Sequence, residues 1–575
     1  MAQPGLLTAG RLWILLAAGL VPLVVYWRTT GYGFLLDDVV LFRSSPSLSD
    51  LGTIARGFVT DVGALRKGFD TAISSYYRPV FLALATLYYQ VVGGDPAGWH
   101  VAATALAALI GALVCGFFLR LGFSPAVALL AAIVFSLHPA HVSSVAWAAG
   151  LQELCAALFT FAALHCLLAA KLGAKREDGG ALPLVLAGLF YGLALLSKEV
   201  AIGLLPFVGF WALHERHGDP PGSRRLWRAA AVLAGMTVLY LAVRAAVLGG
   251  FAVPSQSAPS LPAALASVPL ALVTYLRLLV WPAGFAIFRP ERPVHAALSA
   301  PVLVSVAVLV VLAGLVYRLA RKRRELALPC AWLLAWLLPV LNLWALDPQW
   351  MVTDRYLFLP SLALPWGLAS VRPRRALIGL LAMLAAGYTL LTVRYSAIFR
   401  DERTFIAAME RAEPTSPTVF AEKGRLLVQD GDVGGARAAL ARAVELDPLA
   451  PGAREALGDL ELRRGELGAA EAHYRQALVG RPYASRGFKL VALARARAGE
   501  VGQASRLIEE SARRWPDDFE VRLLQALLRG AGGEREGAEA AFEAARRIRP
   551  DDPAVAGGLD AALARLLPTV LPPQG

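Results

Sequence analysis

What most constrains this chain is a series of long apolar runs. The first, Leu12 to Trp27, follows Arg11. Others lie at 99–119, 126–147, 151–170, 181–213, 227–249, 301–319, 328–346, 356–371 and 376–394. About 20 apolar residues suffice to cross a bilayer as a helix. In lipid every backbone N–H and C=O must be paired inside the protein, so such runs fold as helices. The 181–213 run is too long for one span and reads as two, broken at Ser197-Lys198-Glu199. The reading is an all-α polytopic bundle of about 11 spans, each of about 20 residues. Only 17% of residues are charged, which excludes a single soluble domain and a disordered chain. No small-residue cleavage site follows Trp27, so the first run reads as an uncleaved span. Cys115, Cys155, Cys166 and Cys330 lie in apolar stretches without metal spacing and read as buried side chains.

Basic clusters set the orientation. They are Lys171/Lys175/Arg176, Arg216/Arg224/Arg225/Arg228, Arg318/Arg321/Lys322/Arg323/Arg324 and Arg372/Arg374/Arg375. All fall on the cytoplasmic side if the spans alternate from a cytoplasmic N-terminus. Two further apolar stretches, 79–92 and 263–281, would break that parity by crossing, so they read as interfacial or re-entrant helices. The loop 28–98, the loop 250–300, Asp347–Arg355 and everything after Arg394 then lie outside the cytoplasm. Residues 1–400 carry +15 of the net charge of +13, and the remainder carries −2. The basic excess is thus a topology signal and does not point to nucleic acid.

The last third is periodic. Pro414, Pro448, Pro482, Pro516 and Pro550 are each 34 residues apart. Gly431, Gly465, Gly499 and Gly533 keep that step, as do Ala436, Ala470, Ala504 and Ala538. This is the tetratricopeptide pattern, in which each helix hairpin buries its apolar face only by stacking on neighbours. Tyr474, Ile508 and Phe542 take one packing position of the second helix. The boundaries read as a membrane domain 1–395, a linker and leading helix 396–416, four repeats 417–550, and a capping helix with a frayed tail 551–575.

Acids in or near a bilayer are costly, which makes them functional candidates. Glu177, Asp178, Glu215, Asp219 and Glu325 fall in cytoplasmic loops and read as solvated charges. Asp37-Asp38, in Gly-Phe-Leu-Leu-Asp-Asp-Val-Val, lie about ten residues past the first span. One such carboxylate can take a proton from a hydroxyl while the other holds the acceptor or a divalent cation. The alternative is a helix cap. His138-Pro-Ala-His141-Val-Ser-Ser-Val-Ala-Trp147 stands at an outer end, for metal, for phosphate or sugar contacts, or for packing. Glu153, just inside the next span, is a partner for either ring. Lys198 and Glu199 pair with each other or with other polar groups, and Lys198 can reach a lipid phosphate. Thr353-Asp354-Arg355-Tyr356 and Tyr77-Arg78-Pro79 offer outer-side arginines for phosphate oxygens. Either arginine could instead anchor a helix end by snorkelling.

Taken in order, these motifs resemble the transmembrane-and-TPR protein O-mannosyltransferases of the GT-C superfamily. The matching pieces are the early double acid, Tyr-Arg-Pro, His-Pro-x-His with a following Trp, Ser-Lys-Glu, Asp-Arg-Tyr-Leu-x-Leu-Pro-Ser, and the repeats. The resemblance implies a mannosyl donor on a polyprenyl phosphate and transfer to Ser or Thr hydroxyls on the non-cytoplasmic side. It implies catalysis by the acid of the first outer loop, Asp37/Asp38, and the mechanism expected with it sets the donor phosphate near Arg78, Lys198 and Arg355, whose charge stabilises the departing phosphate. His138, His141, Glu153, Glu199, Asp354 and Tyr356 are then polar residues of the substrate site. Two positions depart from the family pattern: Ser143 stands for Glu, and Leu151-Gln152-Glu153 for Arg-Lys-Asp. The expected partners are the lipid donor, membrane lipids and a protein acceptor held by the repeats. No cofactor is required by the reading, and a divalent cation stays open. The Ala/Leu/Arg/Gly-rich composition points to a GC-rich bacterium, with the repeats in the periplasm. The rival readings are a membrane-anchored repeat scaffold for envelope assembly, and a GT-C enzyme with a glycan or lipid acceptor.

Overall fold

The computed structural model describes the chain except residues 1–8, 44, 61–75, 173–180, 251–258, 285–286, 288–293, 295–297, 344–350, 372–373, 481–483, 551 and 572–575. Lys175, Arg176, Glu177, Asp178, Asp347, Arg372 and the repeat's Pro482 lie outside the described residues. Among the described residues the secondary structure is helical throughout. Two compact units form, one running to Glu413 and the other comprising Pro414–Gly575.

The first unit is a bundle. Its helices are α1 (Ala9–Tyr26), α2 (Pro79–Val92), α3 (Pro96–Arg120), α4 (Pro125–Ser136), α5 (Leu151–Leu172), α6 (Ala181–Ser197), α7 (Leu204–Glu215) and α8 (Pro220–Leu248). Then come α9 (Leu261–Val280), α10 (Ala300–Lys322), α11 (Ala327–Leu337), α12 (Ala363–Ala369), α13 (Arg374–Ser396) and α14 (Glu402–Ala412). Pro at the first helical turn starts α2, α3, α4 and α8, where its missing N–H costs nothing. Small residues let backbones touch. A Cβ on Gly111 would sit 2.8 Å from the Ala18 carbonyl oxygen, so α1 and α3 cross closely.

Among the described residues, eight helices are by length and composition apolar enough to cross a membrane. The sequence reading differs from this in three places, each with a physical reason. The 126–147 run is bent by 49° between Ser136 and Pro139, where Pro restarts the chain as a separate short helix. The 181–213 run is split, as read, into α6 and α7 of 17 and 12 residues, both below the usual spanning length. The 356–371 run is broken into 3-10 turns and the seven-residue α12, with Pro360 opening one of the turns.

In the other direction, α9 is by composition long enough to span, although the sequence placed it in the interface. Ala264, Ala271, Tyr275 and Leu278 pack along its length on Ala140, Val340, Leu343, Met351, Val352 and Leu357. These all belong to the segments that link helices at one end of the bundle. At the other end Lys171 pairs with Glu215 at 2.6 Å, and Arg225 donates to the Lys171 carbonyl at 2.9 Å. Glu215 is therefore a half-buried clamp between α5 and α7, also bonded by Trp211, where the sequence suggested a solvated charge.

The second unit is a stack of helix hairpins. Its helices are α15 (Pro417–Gln429), α16 (Val433–Leu446), α17 (Pro451–Arg463), α18 (Leu467–Gly480), α19 (Arg486–Arg497), α20 (Val501–Arg514), α21 (Phe519–Ala531) and α22 (Arg535–Ile548). The stack is closed by α23 (Gly558–Val570). The repeated glycines sit at the turn inside each hairpin with φ of +80°, +78°, +82° and +79°, a left-handed conformation that glycine adopts without a Cβ clash. The repeated alanines are fully buried where the two helices cross, and Tyr474, Ile508 and Phe542 are buried beside them. The tail is more ordered than its sequence suggested. α23 continues through Pro568, and Arg497 donates to the Thr569 carbonyl at 2.9 and 3.2 Å.

Candidate active site

The site assembles from loops at the end of the bundle where α9 lies. Its first part is set by the chain after α1. Leu36, just before the two acids, takes φ +45°, a left-handed conformation uncommon for a residue other than glycine. Asp38 points inward and is fully buried. Its Oδ1 accepts from the Ala149 backbone N–H at 2.7 Å, and its Oδ2 from Leu35 N–H at 3.3 Å. Burial pushes the Asp38 carboxyl well above the usual carboxylate range, against the pull of those amides. Trp147 Nε1 donates to the Leu35 carbonyl at 3.3 Å. The loop is thereby pinned to the entry of α5. Asp37 is exposed and makes no hydrogen bond or ion pair among the described residues. The two acids are thus not equivalent: one anchors and the other is presented.

The cations come from three distant segments. Arg78 precedes α2 and forms a two-point fork with Glu199, Nε to Oε2 at 3.0 Å and Nη2 to Oε1 at 2.5 Å. Its Nη1 bonds Gln152 Oε1, and its guanidinium lies 4.3 Å over the Tyr76 ring. Lys198, in the break between α6 and α7, bonds Glu153 Oε1 and sits 5.4 Å from the Tyr356 ring centre. Arg355 reaches the same Glu153 oxygen at 3.6 Å and lies 5.4 Å over Trp147. One buried carboxylate therefore serves two cations, while Glu153 Oε2 makes no hydrogen bond among the described residues. Lys198 and Glu199, adjacent in sequence, pair away from each other. Glu153 pairs with cations and not with the histidines.

The histidines lie deeper. His138 bonds the Leu279 carbonyl through Nε2 at 3.1 Å, tying the bend after α4 to α9. His141 bonds the Ser361 hydroxyl at 2.8 Å and stacks on Phe358 at 4.2 Å. Both rings are buried. Asp354 lines a small, partly open pocket with Pro139, Ala140, Leu278 and Tyr395. Among the described residues no three His, Cys, Asp or Glu side chains gather as metal ligands.

Sequence reasoning missed two participants. Gln152 holds Arg78 in place of the basic residue common at that position in the family the motifs resemble. Arg244 is the lone charge on α8 after Arg228, near the helix's last turn, where it donates to the Tyr240 hydroxyl at 3.4 Å. Its charge acts on Glu199, and Tyr240 lies against Tyr77 beside Arg78. A single cation late in an otherwise apolar span is the signal that could have found it.

Comparison with known proteins bears on this arrangement. Residues 96–253, which supply His138, Glu153, Lys198, Glu199 and Arg244, match the model of the dolichyl-phosphate-mannose-protein mannosyltransferase family. The membrane unit is similar to these mannosyltransferases. Residues 422–485 and 492–553 match the tetratricopeptide repeat model. Protein O-mannosyl-transferase TMTC4 of Mus musculus is 26% identical over 34% of this chain and 28% of its own length. Protein O-mannosyl-transferase TMTC4 of Homo sapiens is 27% identical over the same shares. Protein O-mannosyl-transferase TMTC3 of Mus musculus is 26% identical over 33% of this chain and 20% of its length. The aligned part thus spans less than a third of those relatives. A mannosyltransferase-type membrane unit joined to tetratricopeptide repeats is the combination found in the family that the motifs resemble.

Proposed function

We propose that the chain is an integral membrane glycosyltransferase. It moves mannose from a polyprenyl-phosphate donor to a hydroxyl, that of protein Ser or Thr, on the non-cytoplasmic side. The observation that carries this reading is the gathering of Arg78, Lys198 and Arg355 around Glu153 and Glu199 at one end of an apolar bundle, with the exposed Asp37 near enough for its charge to act on Arg355. Lys171, Arg225 and Arg324 stand at the opposite end, which supports a cytoplasmic face there.

Asp37 takes the proton of the acceptor hydroxyl. The acceptor oxygen bonds to the anomeric carbon as the bond from that carbon to the phosphate oxygen breaks, through an oxocarbenium-like state. The bonding electrons leave on the phosphate, and the product is polyprenyl phosphate. The cations stabilise the charge that develops there, in a site where burial strengthens the interaction. One displacement inverts the anomeric carbon. Asp38 and Trp147 hold the Asp37 loop, and the His138 and His141 contacts hold the segments beneath it. The repeats bind the segment of protein that carries the acceptor, on the face that hairpin stacking leaves open.

The test is transfer by the purified full chain from a panel of radiolabelled donors. These are polyprenyl-phosphate mannose, polyprenyl-phosphate glucose and a nucleotide mannose. Label moving to peptide only from polyprenyl-phosphate mannose is the expected result. Transfer from the nucleotide sugar alone would overturn the donor class, and label moving only to lipid or glycan would overturn the acceptor.

A further inference from the structure

The Arg78–Glu199 contact has the geometry that a guanidinium uses on a phosphate. Two parallel N–H groups, Nε and Nη2, meet two oxygens at 3.0 and 2.5 Å. Arg78 keeps a second partner in Gln152 through Nη1, while the Glu199 side chain is 37% exposed against 9% for Arg78. The buried partner is therefore the cation and the accessible partner is the carboxylate. Arg244 and Lys198 stand near Glu199 as further positive charge. We propose that the Arg78 fork is a phosphate site held by the Glu199 carboxylate, and that polyprenyl phosphate exchanges for that carboxylate. This deepens the function proposed above and rests on it.

The exchange has a chemical consequence. The donor is a phosphodiester with one negative charge, whereas the released polyprenyl phosphate is a monoester carrying about −1.5 to −2 near neutral pH. The product therefore binds the cations more tightly than the donor. A carboxylate on a partly exposed side chain, returning to Arg78, competes the product off. Glu199 is in this account a release device and touches no reacting atom.

The experiment measures binding of sugar-free polyprenyl phosphate to the purified full chain in uncharged detergent micelles, read by tryptophan fluorescence and by the shift in melting temperature. Glu199→Gln removes the competing charge and keeps the side chain's shape. It is expected to lower the Kd roughly tenfold, the scale of one charge-assisted hydrogen bond, and to enlarge the melting shift at equal ligand. Glu199→Asp keeps the charge and shortens the arm; its Kd is expected between the two. Should Glu199→Gln not fold, the Asp variant carries the test. In either variant, a Kd equal to or weaker than that of the wild type, with the wild type binding, overturns the exchange and leaves the function standing. Absence of binding in wild type and variants overturns both. Inorganic phosphate is the third arm: it is expected not to displace the lipid at matched concentration, and equal competition would overturn the assignment to a lipid phosphate.

Discussion

The two units use charge in opposite ways. In the repeat unit the ion pairs are mostly exposed and many are local: Arg425 with Glu422, Arg442 with Glu445, Arg475 with Glu471. In the membrane unit the pairs at the site join distant segments, and those on Glu153 are buried: Lys198 with Glu153 and Arg355 with Glu153, beside the half-buried pair of Arg78 with Glu199. Exposed local pairs contribute little because water screens them and long side chains must be ordered to make them. A buried pair behaves differently. Forming it gains little over an apolar contact, but removing one partner strands a charge. The repeats spread many weak pairs over a surface, whereas the bundle gathers a few at one place. The difference marks where the bundle tolerates cost, and hence where its chemistry belongs.

Glu153→Gln should give the largest change. It leaves Lys198 and Arg355 without their shared carboxylate and is expected to cost about 3–5 kcal/mol. Thermal unfolding in detergent measures this; an unchanged melting temperature would mean that the cluster is solvated and the contrast false. Asp38→Asn is expected to cost about 1–3 kcal/mol, because the amide cannot satisfy both backbone N–H groups that the carboxylate accepts. The same melt reads it, with protease sensitivity of the loop before α2 as a second probe.

Next comes a backbone effect in the other unit. Gly465→Ala puts a Cβ on a residue at φ +78° and is expected to cost about 1–2 kcal/mol. Circular dichroism of the full chain under denaturant would detect it; a loss as large as that of Glu153→Gln would show the repeats to be the more fragile unit. Arg442→Ala, which removes an exposed i,i+3 pair, should move stability by less than about 0.5 kcal/mol. A larger drop would place that arginine in an interface and blur the contrast at its weak end.

Legibility followed the same division. The repeat array was readable because its information is local: a period of 34 fixes the turn glycines, the crossing alanines and the hairpins at once. Apolar runs gave the bundle because each helix closes its own backbone bonds. Bends did not follow from hydropathy, since Pro139 and Pro360 break helices without lowering it. At the site the sequence supplied the residue types and missed the pairings. Nothing local says that Lys198 takes Glu153 while its neighbour Glu199 takes Arg78. Only the packing of α5, α6 and α2 decides that. The pair Asp37-Asp38 is the clearest case, because of two identical neighbours one is buried on the amides of Ala149 and Leu35 and the other is exposed.

That separation is the most direct point of attack. The measurement is mannose transfer from polyprenyl-phosphate mannose by Asp37→Asn and Asp38→Asn, each compared with wild type at equal amounts of folded protein. The account predicts that Asp37→Asn loses about 10²- to 10⁴-fold in kcat with an unchanged melting temperature. Asp38→Asn should retain most of its kcat per folded molecule while melting earlier. Full activity in Asp37→Asn, with activity abolished in folded Asp38→Asn, would contradict it and exchange the two roles.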